Sequence, residues 1–577
     1  MSKGVLITGC LALAFASMIY YPKWKMGRTE ATISWDVSGY YLYLPALFIY
    51  QDLRKLEFKA AIDEKYYPSS SPYQSYAHAS GNQVMKYTCG LAILYSPFFI
   101  LAHVVARLTG LSADGYSPIY QFMLSLGSLA YAFLGLWMLR RLLRRYFDEG
   151  LTAGSLAILV FATNYFDYAS ITGAMSHNYL FTLYTALLLL TDQFYRDRKA
   201  QWFYLAAGIS GLMVLIRPTE GISLLLLMGW GIRSRAGLRE RIHFFTGQLR
   251  LVIQGALFFL LAPAIQLMYW KYVAGEWLVY SYQDQGFSWF EGHHILQGLF
   301  SYRAGWLVYT PVMVLCLTGI LANLWLDKPW ARIYLFFFLA SLYLTFAWNE
   351  WTYGGSLGQR ALVQHYPVLL FGLASSLEVA RKYPWLNRAT WLFIGLCMAY
   401  NLWLTHQAHR GGIYEAGMMN KAYFWQTLFK FKNDPESKKL LDTNEPLIPF
   451  DETKAGLLSD TLYTPDSNYC ISASASVLLY QDKAPAGKLK VMTRVFTPQK
   501  EWDVWQMAQL IVQYYEGDRS VKTVFIRVNR FIGDGEEKWI DLVTKSPDPA
   551  SDRLRISLWN PGSRPVCLQA MKLYAAD

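Results

Sequence analysis

The sequence predicts a polytopic α-helical membrane protein of about eleven spanning helices, followed by a C-terminal β-sandwich domain. Three observations carry that class. Hydrophobic residues make up 54% of the 577-residue chain and charged residues only 16%, against about 25% charged in an ordinary soluble domain. Long apolar runs alternate with short basic clusters as far as residue 404. Beyond residue 460, apolar and polar residues alternate in short runs bounded by turn residues, which is the pattern of half-buried strands. The net charge of +12 invites a nucleic-acid reading. Its distribution excludes one, because the excess lysine and arginine sits in short loops between apolar runs, where it sets orientation.

The first apolar run, residues 4–21, follows a single Lys3. Its Ile7-Thr8-Gly9-Cys10 resembles a lipoprotein cleavage box, but the apolar stretch before it is too short for a signal peptide, so it reads as an uncleaved first helix. Further spans read at 118–139, 151–168, 176–191, 201–216, 219–232, 251–272, 304–325, 331–347, 361–379 and 388–404. Basic clusters follow alternate spans: Arg140, Arg141, Arg144 and Arg145; Arg196, Arg198 and Lys199; Arg233, Arg235, Arg239, Arg241 and Arg250; Lys328 with Arg332; and Arg381, Lys382 and Arg388. Every second loop is therefore cytoplasmic, with the N-terminus inside and everything after residue 405 outside. The alternation holds if residues 22–117 form one long external loop. Its apolar parts, 37–50 and 89–106, then lie along the membrane surface or re-enter it without crossing.

Residues 1–404 thus read as the transmembrane domain, 405–460 as a helical or irregular connector, and 461–577 as the outer β-sandwich. Strand-like runs fall at about 468–480, 489–496, 506–514, 522–529, 537–543, 552–559 and 565–574, separated by turns such as Pro547-Asp548-Pro549 and Asn560-Pro561-Gly562. Cys10, Cys89, Cys316 and Cys397 lie in apolar runs and read as inert small hydrophobes. Cys470 and Cys567 lie in the C-terminal domain and either pair, if that domain is outside, or remain two free thiols.

Few residues carry candidate chemistry. The shorter external segments contain only the arginines Arg217, Arg303 and Arg360, each where a helix meets the outer face. An arginine at that depth is costly unless paired or given an anion, and guanidinium suits a phosphate. The bland alternatives are snorkelling or ion pairs of Arg217 with Glu220 and Arg360 with Glu350. Asp36 lies in Ser34-Trp35-Asp36-Val37-Ser38-Gly39-Tyr40-Tyr41. Desolvation beside Trp35 would raise its pKa and favour a general base, whereas a solvated loop acid or helix cap is the ordinary reading. Asp167, His177 and Asn178 flank the second external loop, and Asp36, Asp167 and His177 are a possible divalent-metal set. The loop 273–303 holds Glu276, Asp284, Glu291, His293 and His294, read as solvated. The stretch 348–360 adds Glu350, Trp351, Tyr353 and Gln359. Its aromatics suit a sugar face and its glycines a close backbone approach, or else it is an aromatic belt with a turn.

In the order of these features the chain resembles the GT-C superfamily of membrane glycosyltransferases. The resemblance rests on Trp35-Asp36 early in a long first external loop, on Asp167 and His177 in the second, on Arg217-Pro218-Thr219 between two spans, and on the glycine-rich stretch 351–360 ending at Arg360. The paired acids of protein mannosyltransferases and the Trp-Trp-Asp motif of oligosaccharyltransferases are absent. The resemblance implies an inverting transferase in the bacterial inner membrane that uses a polyprenyl-phosphate-linked sugar donor and no nucleotide. It implies Asp36 as base, Arg217 and Arg360 with Arg303 and Lys86 at the donor phosphate, and an acceptor pocket including Trp35, Tyr40, Asp167, His177, Asn178, Glu220, Glu350, Trp351, Tyr353 and Gln359. The acceptor would be a lipid, a glycan or a protein. The rivals are a polymerase or ligase of lipid-linked glycans, and a non-enzymatic transporter or assembly scaffold. A transporter should show related halves, and no duplication is visible.

The charge pattern makes a direct prediction. Single cysteines introduced near residues 70, 112 and 500 should react with a membrane-impermeant thiol reagent applied from outside, and one near 240 should not. Outside labelling near 240 would overturn the orientation.

Overall fold

A computed structural model describes residues 1–576 except 291–292, 433, 444, 464–469, 472–473, 502 and 548–550. Glu291, the Asp548-Pro549 turn and parts of the expected 468–480 strand lie outside the described residues. The chain divides into two compact units, Met1–Gly417 and Met418–Asp577. The first is mostly helical and the second is built on strands.

Four helices of the first unit are long and apolar enough to cross a membrane: Ser2–Lys25, Gly90–Thr109, Pro118–Leu143 and Leu249–Ala274. They leave large apolar side chains exposed, among them Leu11, Leu134, Leu257 and Leu261, as a lipid-facing surface requires. Shorter apolar helices, Glu149–Ala162, Ala200–Ile216, Met313–Trp325 and Ala331–Ala347, stand where other spans were expected.

Several expected spans are broken. Residues 219–232 form a 3-10 stretch, Pro218–Ser223, and a helix of only six residues, Leu224–Gly229, which at about 1.5 Å per residue cannot cross by itself. The 151–168 run stops at Ala162 and restarts as Tyr165–Tyr168. The 304–325 run is interrupted between Trp306–Tyr309 and Met313–Trp325, where Pro311 lacks an amide donor. The 361–379 run opens with a 3-10 turn, Arg360–His365, before the helix Tyr366–Ala380. Hydropathy reads composition and does not see these changes of backbone path. Two of them, at Arg217 and at Arg360, turn a charged residue inward.

The basic loops gather on one face. The amino terminus, Arg140 and Arg144 meet Glu149, and Arg381 meets Asp148 at 2.6 Å. Arg145 and Arg196 meet Asp192, Arg233 meets Asp327, and Lys328 meets Glu378.

Residues 89–106, expected to lie on the surface or re-enter, form the continuous helix Gly90–Thr109. Both of its ends pack against the segment that follows the first helix. Tyr43 donates to the Tyr87 carbonyl at 2.7 Å just before its start, and Tyr41 donates to the Gly115 carbonyl beyond its end. Asp114, beside Gly115, takes bonds from Lys65 and Tyr66. Gly90 lies so close to the Ile216 backbone that a Cβ there would have no room, which places the helix start against the residue preceding Arg217.

In the second unit, strands β3 (Gly456–Leu462), β4 (Cys470–Ile471), β5 (Ala475–Asp482), β6 (Lys488–Phe496), β7 (Gln509–Glu516), β8 (Arg519–Arg527), β9 (Glu537–Lys545), β10 (Arg553–Asn560) and β11 (Val566–Ala576) follow the hairpin strands of the first unit, Ser75–Ala77 and Gln83–Met85, in chain order. One antiparallel sheet runs β5-β10-β7-β8 and the other β3-β11-β6-β9, with β4 beside β11. Both sheets feed one core, through Leu510, Val512, Leu554 and Ile556 on one side and Leu489, Val491, Leu542 and Leu573 on the other, so they form a sandwich. Strand β3 begins within the expected connector, 405–460, and runs two residues beyond it. Its side chains are mostly exposed, so it carries no buried alternation to betray it. Cys470 and Cys567 form a disulfide between the paired strands β4 and β11.

Helices Met313–Trp325 and Tyr366–Ala380 meet at Gly319 and Gly372, where a Cβ on either would strike the other helix's backbone. Gly319→Ala or Gly372→Ala should therefore destabilise the helical unit by about 1–3 kcal/mol, read as a fall in the thermal midpoint of the purified protein. Gly395→Ala, where a Cβ meets nothing, should leave the midpoint unchanged.

Candidate functional site

Asp36 is presented by a short helix, Trp35–Tyr41, whose first residue has a positive φ of 49°. That left-handed backbone is costly for a tryptophan. It is held by the Trp35 amide donating to Pro68 O at 2.8 Å and by the indole N–H donating to Thr29 O at 3.0 Å. One turn on, Gly39 leaves the space into which the Tyr87 ring fits, since a Cβ there would collide with it.

The Asp36 carboxylate is almost fully engaged. Tyr73 and Tyr87 donate to Oδ1 at 2.8 and 2.7 Å, and Arg360 Nη2 donates to Oδ2 at 2.6 Å. Of about four lone-pair positions on a carboxylate, three are taken. Burial would raise its pKa, but the Arg360 charge and the two tyrosine hydroxyls outweigh it and hold Asp36 below the usual carboxylate range. The expectation of a raised pKa is thereby corrected: desolvation acts as foreseen, and the specific donors exceed it. Arg360 is likewise not paired with Glu350.

Arg217 follows the helix Ala200–Ile216 in extended conformation. Its guanidinium lies 5.4 Å from the centre of the Tyr353 ring and 3.5 Å from Gln364 Oε1. Among the described residues no carboxylate stands within ion-pair distance of it, Glu220 included. Glu220 is buried and takes bonds from Tyr184 and from Gln364 Nε2, both at 2.6 Å, with His365 Nε2 at 3.6 Å. His177 Nδ1 lies 2.9 Å from the same Gln364 Oε1 that faces Arg217. Arg217, Glu220, Ser341, Tyr353, Gln364 and His365 line one pocket.

Lys86 sits beside Tyr73 and Tyr282, 5.2 and 5.3 Å from their ring centres, and donates to Gln285 at 2.9 Å. Burial lowers its pKa, partly offset by Asp36 and Asp284. Tyr40 packs against Tyr87, centroids 4.4 Å apart.

The other expected site residues are placed differently. Arg303 Nε donates to the Gly417 carbonyl at 2.8 Å. Asp167 is bonded to His409 at 2.6 Å and to Thr172 at 2.9 Å. Asn178 is fully buried and donates to the Ser128 and Gly173 carbonyls, while its Oδ1 is buried without a hydrogen-bond partner. Gln359 is buried and donates to Trp351 O at 2.9 Å, and Trp351 stacks near His294. Glu350 accepts from the Thr352 hydroxyl. The suggested metal set of Asp36, Asp167 and His177 is not assembled: Asp36 is bonded to Arg360 and Asp167 to His409, and no group of three such side chains converges among the described residues.

Tyr73, Tyr87 and Gln364 are site residues that sequence reasoning missed. The two tyrosines are among 42 in the chain, and none of the three residues lies in a short motif.

No known family profile and no curated protein matches the sequence. Among solved structures the chain is similar to the oligosaccharyltransferase of Archaeoglobus fulgidus in its apo form, at 13% identity and a TM-score of 0.41, over 76% of this chain and 59% of that one. It is also similar to the arabinosyltransferase EmbB of Mycobacterium smegmatis, at 11% identity and a TM-score of 0.28, over 82% of this chain and 59% of that one. The chain thus spans about three fifths of the length of these two proteins. At these scores the functional reading rests on the site itself.

The packing of Tyr87 against Gly39 gives a test. Gly39→Ala should displace the Tyr87 ring and its bond to Asp36, lowering the thermal midpoint of the purified protein by an amount that corresponds to about 1–3 kcal/mol. Tyr87→Phe, which keeps the ring and removes only the hydroxyl, should lower the midpoint less.

Proposed function

We propose that the protein is an integral membrane glycosyltransferase that moves a sugar from a polyprenyl-phosphate donor to an acceptor hydroxyl on the outer face of a bacterial inner membrane. In this reading the face that gathers the basic loops is cytoplasmic, and the site and the C-terminal sandwich are periplasmic. The observation that carries the proposal is Arg217, a cation held by an aromatic ring and an amide, without a carboxylate partner among the described residues. A cation in that position calls for an anionic ligand, and a forked guanidinium matches phosphate oxygens.

The chemistry follows from what lies around it. The acceptor O–H loses its proton to Asp36. Its oxygen attacks the anomeric carbon and forms the new C–O bond. The bond from that carbon to the phosphate oxygen breaks, and its electron pair leaves with the lipid phosphate. Arg217 and Arg360, with Lys86 nearby, offset the charge that grows there. Attack opposite the leaving phosphate inverts the anomeric centre. Arg303, bonded to Gly417, has no part in this scheme.

The test is binding and turnover on the same purified variants. Arg217→Ala should weaken binding of polyprenyl phosphate while the protein still folds, and Arg217→Lys should restore binding only in part, because a point charge does not reproduce the fork. Asp36→Asn should lower transfer by about 100- to 10,000-fold. Unchanged lipid-phosphate binding by Arg217→Ala would remove the basis of the proposal, and a preference for a lipid diphosphate would favour a polymerase or ligase.

A further inference from the structure

The residue proposed to hold the donor phosphate, Arg360, is already bonded to the residue proposed to act as base. Both roles cannot be filled at once in the arrangement seen, with Arg360 Nη2 2.6 Å from Asp36 Oδ2. We propose that Arg360 is exchanged between two anions: Asp36 holds it until a donor phosphate takes it, so that arrival of the donor is what frees Asp36 to accept a proton. The inference rests on the donor-phosphate reading above.

Three features support an exchange over a fixed pair. First, the carboxylate has its own anchor. Tyr73 and Tyr87 both donate to Oδ1, and Arg360 alone occupies Oδ2 in an ion pair. Loss of Arg360 would leave Asp36 in place and open the oxygen that faces away from the tyrosines. Second, Arg360 has capacity to spare. Its Nε is buried without a hydrogen-bond partner, whereas a guanidinium carries five donors in a planar fork. Two phosphate oxygens could take the N–H groups that one carboxylate oxygen leaves unused. Third, the surroundings tolerate the move. Lys86 remains beside Tyr73, within electrostatic reach of Asp36, so the carboxylate is not stranded without a cation. Tyr40 lies within the fields of Arg217, Asp36 and Arg360 together, so the phosphate-binding and base positions are neighbours.

The arrangement would restrain the base when no donor is present. While Arg360 and two hydroxyls hold it, Asp36 is weakly basic and has one lone-pair position left. Once Arg360 turns to the phosphate, the carboxylate regains basicity beside the bond that is about to break. The transferred proton then rests on Oδ2, and the lipid phosphate leaves with the electron pair of the broken bond, its charge offset by Arg217 and Arg360.

A binding experiment decides the matter, because it reverses the usual effect of mutating a catalytic acid. Polyprenyl monophosphate without a sugar is titrated into the full-length protein in nanodiscs. Asp36→Asn removes the competitor for Arg360 and should bind the lipid phosphate about tenfold tighter than wild type. The gain should vanish in the double variant Asp36→Asn/Arg360→Ala. Unchanged or weaker binding by Asp36→Asn overturns the exchange, whatever happens to turnover. If Asp36→Asn does not fold, Asp36→Ser, which removes the carboxylate without adding volume, makes the same comparison. Arg217→Ala is the separate control: if it binds as wild type does, the donor-phosphate reading fails. If it weakens binding while Asp36→Asn gains nothing, the reading stands and only the exchange is lost.

Discussion

The ion pair between Asp36 and Arg360 joins two residues 324 positions apart, and much of the helical unit is arranged to make it. A carboxylate removed from water needs donors or a countercharge. Here both are supplied, and each requires a local departure from regular structure. Trp35 adopts a left-handed backbone so that the next residue starts a helix facing inward. Gly39 gives up a side chain so that Tyr87 can reach the carboxylate. A 3-10 turn replaces the first turn of an expected span so that Arg360 points at Asp36 and not at lipid. The pair is half-buried, and removing one member leaves the other poorly compensated. The departures are therefore held in place by the contact they create.

The same logic separates the two faces of the first unit. On the face of the basic loops, each cluster finds an acid: Glu149, Asp148, Asp192, Asp327 or Glu378. Apart from the buried Asp192, those pairs are partly exposed and act as ties between helix ends, each of modest strength. Around Asp36 the charges are fewer and linked through neutral groups. A surface pair is screened by water and tolerates substitution. A pair in this site sets the protonation and the orientation of its neighbours.

How far all this can be read from sequence depends on the range of the interaction. Asp36, Arg217 and Arg360 stand out because a charge is conspicuous in an apolar neighbourhood. Their partners do not. Tyr73 and Tyr87 are two of 42 tyrosines, and nothing local marks them as donors to a carboxylate half a loop away. The bond between Asp36 and Arg360 is tertiary, so the alternative of a local pair with Glu350 was the natural one and was wrong. The raised pKa expected of Asp36 considered burial and had no means of knowing the donors. In the second unit the strands with an alternating buried face were legible, while β3, mostly exposed, was not. The pairing of Cys470 with Cys567 needed strand register, because 97 residues separate them.

Gln364 shows why a site of this kind can hold an unneutralised arginine at all. Glu220 lies near Arg217 and would cancel its charge if the two met directly. The side-chain amide of Gln364 stands between them, its oxygen toward Arg217 and His177 and its nitrogen donating to Glu220. The remaining Glu220 oxygen is occupied by Tyr184 and approached by His365. The acid is thus satisfied by groups other than the cation, and the cation is oriented by an amide and a ring that do not neutralise it. A direct ion pair would be the more stable arrangement for two isolated charges, but it would close the site to an anion. An amide spacer keeps the electrostatic support of Glu220 and leaves the Arg217 guanidinium without a carboxylate on its fork among the described residues.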